Sequence, residues 1–165
     1  MNENIFNGIA DMYDKYRPSY PQSLFTYLGS DIGMNTLTAV ADIGSGTGIL
    51  SQKLLDICKL VYAVEPNADM RKIAELKLSS RDNFVSISAS AEATTLHKHS
   101  VDYVTAAQSF HWFDKTAFKT ECRRILRSDG QVVLIWNCRD ERSQIVQAVD
   151  AISRKYCPGF SGSLC

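Results

Sequence analysis

The sequence predicts a single α/β domain in which a mostly parallel sheet of about five strands lies between two layers of helices. Its 165 residues match the usual size of one domain. Short β-branched and apolar runs alternate with segments whose apolar residues recur at helical spacing, which is typical of parallel strands joined by crossover helices. A glycine-rich turn directly follows the first apolar run. These three observations indicate a three-layer sandwich with a ligand site at one end of the sheet.

A first strand, turn and helix are predicted near the start of the sheet. The run TAVADI at 38–43 is β-branched and apolar, as expected of a buried strand. It ends in GSGTG at 44–48, where glycines permit a tight turn. Leu50, Leu54 and Ile57 then recur at i, i+4 and i+7, which indicates a helix.

Four further strands are predicted along the chain. Each is a run of apolar residues or an alternation of apolar and polar residues. The last run, QVVLIW, is almost wholly apolar, which is typical of a strand buried on both faces of a parallel sheet. The predicted positions are 61–65, 84–89, 101–107 and 131–136.

Two of the connecting helices begin at recognisable capping residues. Asn67 follows the second strand and is a predicted N-cap. Asp114 has the same predicted role in the helix that follows the fourth strand. That helix is expected to end at Arg127. The inward face of the helix that Asn67 caps is predicted to carry Met70, Ile73 and Ala74.

Both ends of the chain are predicted to be helical parts of one domain over 1–165. A helical segment covers 1–36, the sheet with its helices covers 37–137, and a C-terminal helix and tail cover 138–165. Apolar residues at helical spacing place that last helix at 141–156.

The composition narrows the classes of partner. The 18 basic and 18 acidic residues cancel, so no protein-wide field attracts nucleic acid or an anionic membrane. The longest strongly apolar run is far shorter than the ~20 residues of a membrane helix, and the N-terminus lacks the basic and apolar regions of a signal peptide. A cytoplasmic protein is expected.

The five cysteines contain no CxxC pair, which predicts reduced thiols and no metal site.

The glycine-rich turn is the first place to look for a ligand, because ligands of parallel sheets bind outside the carboxyl ends of the strands. Its spacing is G-x-G-x-G over 44–48, whereas a dinucleotide site requires G-x-G-x-x-G, and this difference counts against NAD. Glu65 ends the second strand, where a carboxylate can accept hydrogen bonds from the two hydroxyls of a ribose. A nucleoside ligand is therefore indicated.

Three segments together carry a family resemblance: DIGSGTG, AVEPNADM and AAQSFHWFD. They resemble the class I S-adenosylmethionine-dependent methyltransferases, most closely the type 11 small-molecule branch that includes trans-aconitate and quinone-biosynthesis enzymes. The opening FNGIADMYDKYRPSYP is similar to the start of that branch, and the resemblance covers about 5–137. It implies a Rossmann-like sheet of order 3-2-1-4-5, S-adenosylmethionine as methyl donor, S-adenosylhomocysteine as product, and a small-molecule acceptor rather than nucleic acid or membrane.

The resemblance also implies which residues bind the cofactor. Glycine without a Cβ allows the backbone to approach the ligand, and helix N-terminal amides suit the methionine carboxylate. Asp42 is expected to receive the ammonium group, and Glu65 the ribose. Pro66, Asn67 and Met70 are expected to form a wall for adenine, with Ala91 and Glu92 at the ring edge. The remaining residues of the glycine-rich turn in this set are Gly44, Ser45, Gly46 and Gly48.

Residues at two other segments complete the implied site. Gln108 corresponds to the position that flanks the methionine part and the reacting methyl group. Tyr13 and Arg17 belong to the opening segment, which the resemblance implies is a lid over the cofactor. His111 is a candidate general base, although a sulfonium methyl is already activated, so that positioning and desolvation can drive the displacement without a base.

The residues are compatible with three functions: a small-molecule methyltransferase, an NAD(P)-dependent oxidoreductase, and a non-catalytic or truncated fragment that binds the cofactor. The resembling family adds an antiparallel hairpin beside the fifth strand, and the residues after 136 hold a helix and a tail too short for two more strands. The strand at 131–136 is then an exposed edge. We expect it to pair with a second copy in a homodimer, to be covered by the helix at 141–156, or to aggregate.

Overall fold

Five parallel strands in the order β3-β2-β1-β4-β5 form one sheet in the computed structural model, which describes residue 8, residues 10–138, residues 140–157 and residue 159. The neighbouring pairs β1 with β2, β1 with β4, β2 with β3 and β4 with β5 are all parallel. The predicted strand order is therefore confirmed. The strands are β1 (Ala39–Ile43), β2 (Leu60–Val64), β3 (Phe84–Ile87), β4 (Val101–Ala107) and β5 (Leu126–Ile135).

Helices precede the sheet, join its strands and follow it. The chain divides into two compact units, Met1–Ile135 and Trp136–Cys165, and the sheet belongs to the first. Among the described residues, no helix has the length and apolar content required to cross a bilayer. The helices are α1 (Ala10–Tyr16), α2 (Gln22–Ser30), α3 (Ile49–Leu54), α4 (Ala68–Leu78), α5 (Lys115–Ile125) and α6 (Gln144–Tyr156), with a 3-10 helix at Phe110–Trp112.

Both predicted N-caps are confirmed. The Asn67 side chain accepts a hydrogen bond of 3.0 Å from the Met70 N–H at the start of α4. Asp114 accepts bonds from two N–H groups in the first turn of α5, at 2.9 and 3.0 Å. Each cap satisfies amides that have no partner within the helix.

Strand β1 is buried at all five positions and separates two apolar cores. Val40 packs in one core with Leu54 of α3, whereas Ala41 and Ile43 pack in the other with Phe118 of α5. Side chains alternate between the faces of a strand, so helices on both sides of the sheet bury successive residues of β1. This arrangement is the predicted three-layer sandwich.

Some predicted boundaries are wrong. The third strand ends at Ile87 rather than at 89, and the last helix begins at Gln144 rather than at 141. The helix capped by Asp114 ends at Ile125, and β5 begins directly after it. Strand pairing with β4 begins at Leu126, which pairs with Val101, one residue before Arg127, the predicted end of the helix. Pairing with β4 thus ends the helix earlier than the sequence predicts.

The prediction that the last strand is buried on both faces is also wrong. Val132 and Leu134 are 41% and 40% exposed. Val133 and Ile135, which alternate with them, pack against the core that contains Val40. In the described part of the sheet β5 pairs with β4 alone, so it is an edge strand with one covered face and one exposed face.

Candidate functional site

A pocket opens at the carboxyl ends of β1, β2 and β4. This is where the glycine-rich turn predicts a ligand site. It has a volume of about 880 Å³, including space open to solvent. Four stretches of chain line it: the opening segment, the glycine-rich turn with the start of α3, the exit of β2, and the exit of β4. The lining residues are Tyr13, Arg17, Pro18, Tyr20, Asp42, Gly44, Ser45, Gly46, Thr47, Ile49, Leu50, Glu65, Pro66, Asn67, Met70, Ala107, Gln108, Ser109, Trp112 and Phe113.

The three glycines of the turn have positive φ but different surroundings. A Cβ on Gly44 would lie 2.7 Å from Ser109 Cβ, and one on Gly48 would lie 2.8 Å from Leu78 Cδ1. A Cβ on Gly46, in contrast, would meet no atom within 4 Å. Gly44 and Gly48 therefore allow close packing of the turn, while Gly46 leaves open space in the pocket lining.

Asp42 is a buried carboxyl group in the pocket lining. Its oxygens accept hydrogen bonds from the hydroxyls of Ser51 (2.6 Å) and Thr105 (3.0 Å). Burial raises the pKa of Asp42 to about 6, and the two hydroxyl bonds oppose part of that rise. A positively charged ligand would favour the ionised form of this carboxyl group.

Glu65 is held by two backbone amides. Its Oε2 accepts a hydrogen bond from the Gly46 N–H and its Oε1 accepts one from the Asn67 N–H, both at 2.9 Å. Burial raises the pKa of Glu65, and these bonds together with the nearby Arg71 guanidinium act in the opposite direction. Each carboxylate oxygen can accept more than one hydrogen bond, so both can still receive ligand hydroxyls.

Three buried polar atoms of the pocket residues have no hydrogen-bond partner among the described residues: Ser45 Oγ, Thr47 Oγ1 and Gln108 Nε2. Gln108 also has a φ of 56°, an uncommon value for a residue other than glycine. Buried polar groups are nearly always paired in native proteins, and strained backbone often occurs at functional sites. The pocket is therefore equipped to form hydrogen bonds with a polar ligand.

The opening segment forms one wall of the pocket through Tyr13, Arg17, Pro18 and Tyr20. The Arg17 guanidinium lies 5.4 Å from the centre of the Tyr13 ring. Burial raises the pKa of Tyr20 to about 12, and the nearby Asp42 charge adds to that rise. The tyrosine hydroxyl therefore remains protonated and able to donate at neutral pH.

Four predicted site residues lie outside the pocket lining. Gly48 packs against α4, as described above. Ala91 is buried in the core, and Glu92 accepts a hydrogen bond of 3.0 Å from the Asp114 N–H at the start of α5. His111 is exposed on the 3-10 helix, with its ring centre 4.8 Å from that of Trp112. The other predicted cofactor residues all line the pocket.

The pocket also contains residues that the sequence analysis did not single out. Thr47 and Ser109 line it, and the Ser109 hydroxyl donates a 2.9 Å hydrogen bond to the Ile43 carbonyl. Phe113, also in the lining, packs against Phe118 in the core with ring centres 5.0 Å apart. All three belong to segments that the motifs marked, but only the fold shows which side chains turn inward.

The chain resembles known methyltransferases in sequence. Residues 41–134 match the family model described as "Methyltransferase domain". An uncharacterized methyltransferase of Mycobacterium tuberculosis is 34% identical over 137 residues, which cover 83% of this chain and 54% of that protein. One of Schizosaccharomyces pombe is 32% identical over 152 residues, covering 92% of this chain and 59% of that protein. The chain spans about half the length of the curated relatives it matches.

Solved structures give the same comparison. A presumed type II methyltransferase from Anaeromyxobacter dehalogenans is 32% identical with a TM-score of 0.68, and the match covers 86% of this chain and 57% of that one. Phosphoethanolamine N-methyltransferase 1 of Haemonchus contortus, in complex with phosphoethanolamine and S-adenosylhomocysteine, is 20% identical with a TM-score of 0.61, over 84% of this chain and 33% of that one. The second likeness is one of fold alone.

Proposed function

This chain belongs to the methyltransferase domain family, and we propose that its pocket binds S-adenosylmethionine and transfers the methyl group to a small-molecule acceptor. The observation that carries the proposal is the set of unpartnered buried polar atoms on Ser45, Thr47 and Gln108. These atoms lie in the same pocket as two buried carboxyl groups, Asp42 and Glu65. A zwitterionic nucleoside with a cationic sulfur complements such a mixture of donors and negative charge.

Each part of the cofactor has a suitable group in the pocket. Glu65 offers two fixed acceptor oxygens to the ribose hydroxyls. The carboxylate form of Asp42 complements the ammonium group, and the hydroxyls of Ser45 and Thr47 are donors for the methionine carboxylate. The open space at Gly46 lets the ligand approach the protein backbone closely.

The adenine is assigned to the exit of β2. Pro66 and Met70 line the pocket there, beyond the carboxylate that receives the ribose. The polarizable thioether of a methionine packs readily against an aromatic ring. Ala91 and Glu92 do not contribute to the described lining, so this assignment gives them no direct contact with the ring.

We propose that catalysis depends on positioning rather than on a general base. The cofactor supplies a methyl group on a positively charged sulfur, which is an activated electrophile. The described lining contains no histidine, lysine or cysteine, its two carboxyl groups are assigned to the ammonium group and the ribose, and His111 is exposed outside it. Gln108 and the buried hydroxyls orient the bound molecule, while the buried Phe113 keeps water from the part of the lining that follows β4.

Calorimetric titration of the purified chain with S-adenosylmethionine tests the binding proposal, and NAD serves as the comparison ligand. We expect binding of S-adenosylmethionine and S-adenosylhomocysteine and weaker or no binding of NAD. Absence of binding by both sulfur compounds, or tighter binding of NAD, would overturn it.

Turnover is a separate proposal, because the chain spans about half the length of its curated relatives. A fragment that binds the cofactor without transferring the methyl group is the alternative. A panel of small carboxylates, amines and phenols incubated with radiolabelled cofactor distinguishes the two. Labelled product supports turnover, while tight binding with no product across the panel supports the alternative.

We further propose that the exposed edge of β5 pairs with a second copy of the chain. Val132 and Leu134 present apolar side chains on one face, and no lysine or proline interrupts 131–135. A two-fold axis through such an edge gives a self-complementary interface, the commonest symmetry for a homo-oligomer.

A further inference from the structure

The ammonium group of Lys77 makes two contacts that join separate parts of the pocket wall. Its Nζ lies 2.6 Å from Asp14 Oδ1, with which it forms a salt bridge. The same Nζ donates a hydrogen bond of 3.2 Å to the backbone carbonyl of Thr47. Asp14 belongs to α1 and Thr47 to the glycine-rich turn, so one side chain of α4 connects both.

Each connected part contributes directly to the pocket. Tyr13 precedes Asp14 in α1, and Arg17 comes directly after the last residue of the helix; both line the pocket. Thr47 itself lines the pocket and carries one of the unpartnered buried hydroxyls. A change at Lys77 therefore alters the support of two walls, although the lysine is absent from the lining.

Helix α1 is short and partly exposed. It has seven residues, too few to be stable alone in water. Ala10 is buried, but Met12 and Tyr16 are 59% and 66% exposed. A second polar tether, from the Gly8 N–H to Asp69 Oδ2 at 3.0 Å, also reaches α4. Two polar contacts, at Gly8 and at Asp14, therefore connect this part of the chain to α4.

We propose that Lys77 is a positioning residue that holds α1 beside the pocket and couples the position of this helix to that of the glycine-rich turn. This inference rests on the proposed function for the identity of the ligand. The side chains of Lys77 and Asp14 are 31% and 24% exposed, so solvent screens their attraction less than that of the Arg81–Asp56 pair, at 40% and 53%. Loss of the pair should let the opening segment move away and release ligand faster.

Hydrogen exchange in the unliganded protein tests the anchoring. In Asp14→Asn and Lys77→Met we expect the amides of 10–17 to exchange about two- to fivefold faster, the range that corresponds to a partly exposed ion pair. Lys77→Arg should restore the wild-type rate, because arginine keeps the charge and the donors. Asp56→Asn is the matched control and should leave these amides unchanged. Equal exchange in all variants would overturn the proposal.

The rate of S-adenosylhomocysteine release tests the coupling to the pocket. Trp112 lines the pocket, and Trp136→Phe removes the other of the two tryptophans, so stopped-flow fluorescence can follow release at one site. We expect release to be about two- to fivefold faster in Lys77→Met and Asp14→Asn, and unchanged in Asp56→Asn. Unchanged release in the first two variants would overturn the coupling. Failure of the wild-type protein to bind would instead refute the proposed function, while hydrogen exchange would still decide the anchoring.

Discussion

The Oε2 atom of Glu65 accepts a 2.9 Å hydrogen bond from the backbone N–H of Gly46, so the end of β2 is joined to the turn that follows β1. The bond connects the acidic residue to the one glycine of the turn that leaves open space in the lining. Two segments of the pocket lining whose joined residues lie 19 positions apart in sequence are thereby connected directly.

Replacement of Glu65 by glutamine should weaken S-adenosylmethionine binding by about 10- to 150-fold, or ~1.5 to 3 kcal/mol, the usual value of hydrogen bonds to a charged group. The amide has one acceptor oxygen where the carboxylate has two. Calorimetry measures the change, and Glu141→Gln is a control at an exposed position in the other unit. Equal affinity for the Glu65 variant and the wild type would refute the ribose assignment.

Alanine substitutions at two glycines of the turn should affect ligand affinity and the free energy of unfolding differently. Gly46→Ala places a methyl group in the open space of the lining, so we expect a large loss of affinity with a cost of only ~1 to 2 kcal/mol from the positive φ. Gly48→Ala would force the methyl against Leu78 and should lower the free energy of unfolding more. Urea denaturation and calorimetry on both variants measure the two quantities. The reverse order of effects would contradict this division of roles.

Affinity for S-adenosylmethionine should depend on pH through Asp42. The pKa of its carboxyl group in the unliganded protein is about 6, and a bound cation favours the ionised form. The proton must leave on binding, so the dissociation constant should rise about tenfold between pH 7 and pH 5. Asp42→Asn should bind more weakly at pH 7 and lose this dependence. An identical pH profile in the variant would assign the titration to another group.

Stability in acid should depend on Glu121, a buried carboxylate of α5. Its oxygens accept hydrogen bonds from the Arg124 guanidinium at 2.7 Å and from the Thr94 N–H at 2.8 Å. These partners lower the pKa of Glu121 to about 2.

Because the folded-state pKa lies below the ordinary value of 4.5, the carboxylate stabilises the fold above pH ~4.5. That contribution is lost as the pH falls toward 2. Glu121→Gln should therefore reduce the free energy of unfolding by ~1 to 3 kcal/mol at pH 7 and by less at pH 3, as measured by urea denaturation. A constant difference at both values would contradict the assignment.

Self-association should depend on the exposed face of β5. Val132→Lys adds a charge to the edge and should reduce the mass measured by light scattering at micromolar concentration. Leu37→Lys, at a position 80% exposed before β1, is the matched control. A wild-type monomer, or equal association in both variants, would refute pairing through this edge.

Local patterns predicted the parts of the molecule that depend on local interactions. The Asn67 and Asp114 caps and the buried β1 follow from local sequence patterns, and the structure contains them. The order of the strands is instead implied by the family resemblance, and the structure confirms it. The glycine-rich turn and Glu65 could be marked as a candidate ligand site because glycines and a strand-end carboxylate have characteristic positions. The other candidate cofactor residues follow from the family resemblance.

Features that depend on long-range packing could not be predicted in this way. The exposed face of Val132 and Leu134 depends on the position of β5 at the edge of the sheet, and its early start depends on pairing with β4. Lys77 has no sequence signal at all, because its two partners are 63 and 30 residues away.

Strand β1 separates the two apolar cores and also ends in the glycine-rich turn. A strand that serves both cores cannot open without exposing both, so it belongs to the most stable cooperative unit of the fold. A ligand held at its end stabilises the folded state of the whole Met1–Ile135 unit by mass action. Cofactor binding should consequently raise the midpoint of one global thermal transition and slow exchange of the β1 amides in proportion to ligand concentration.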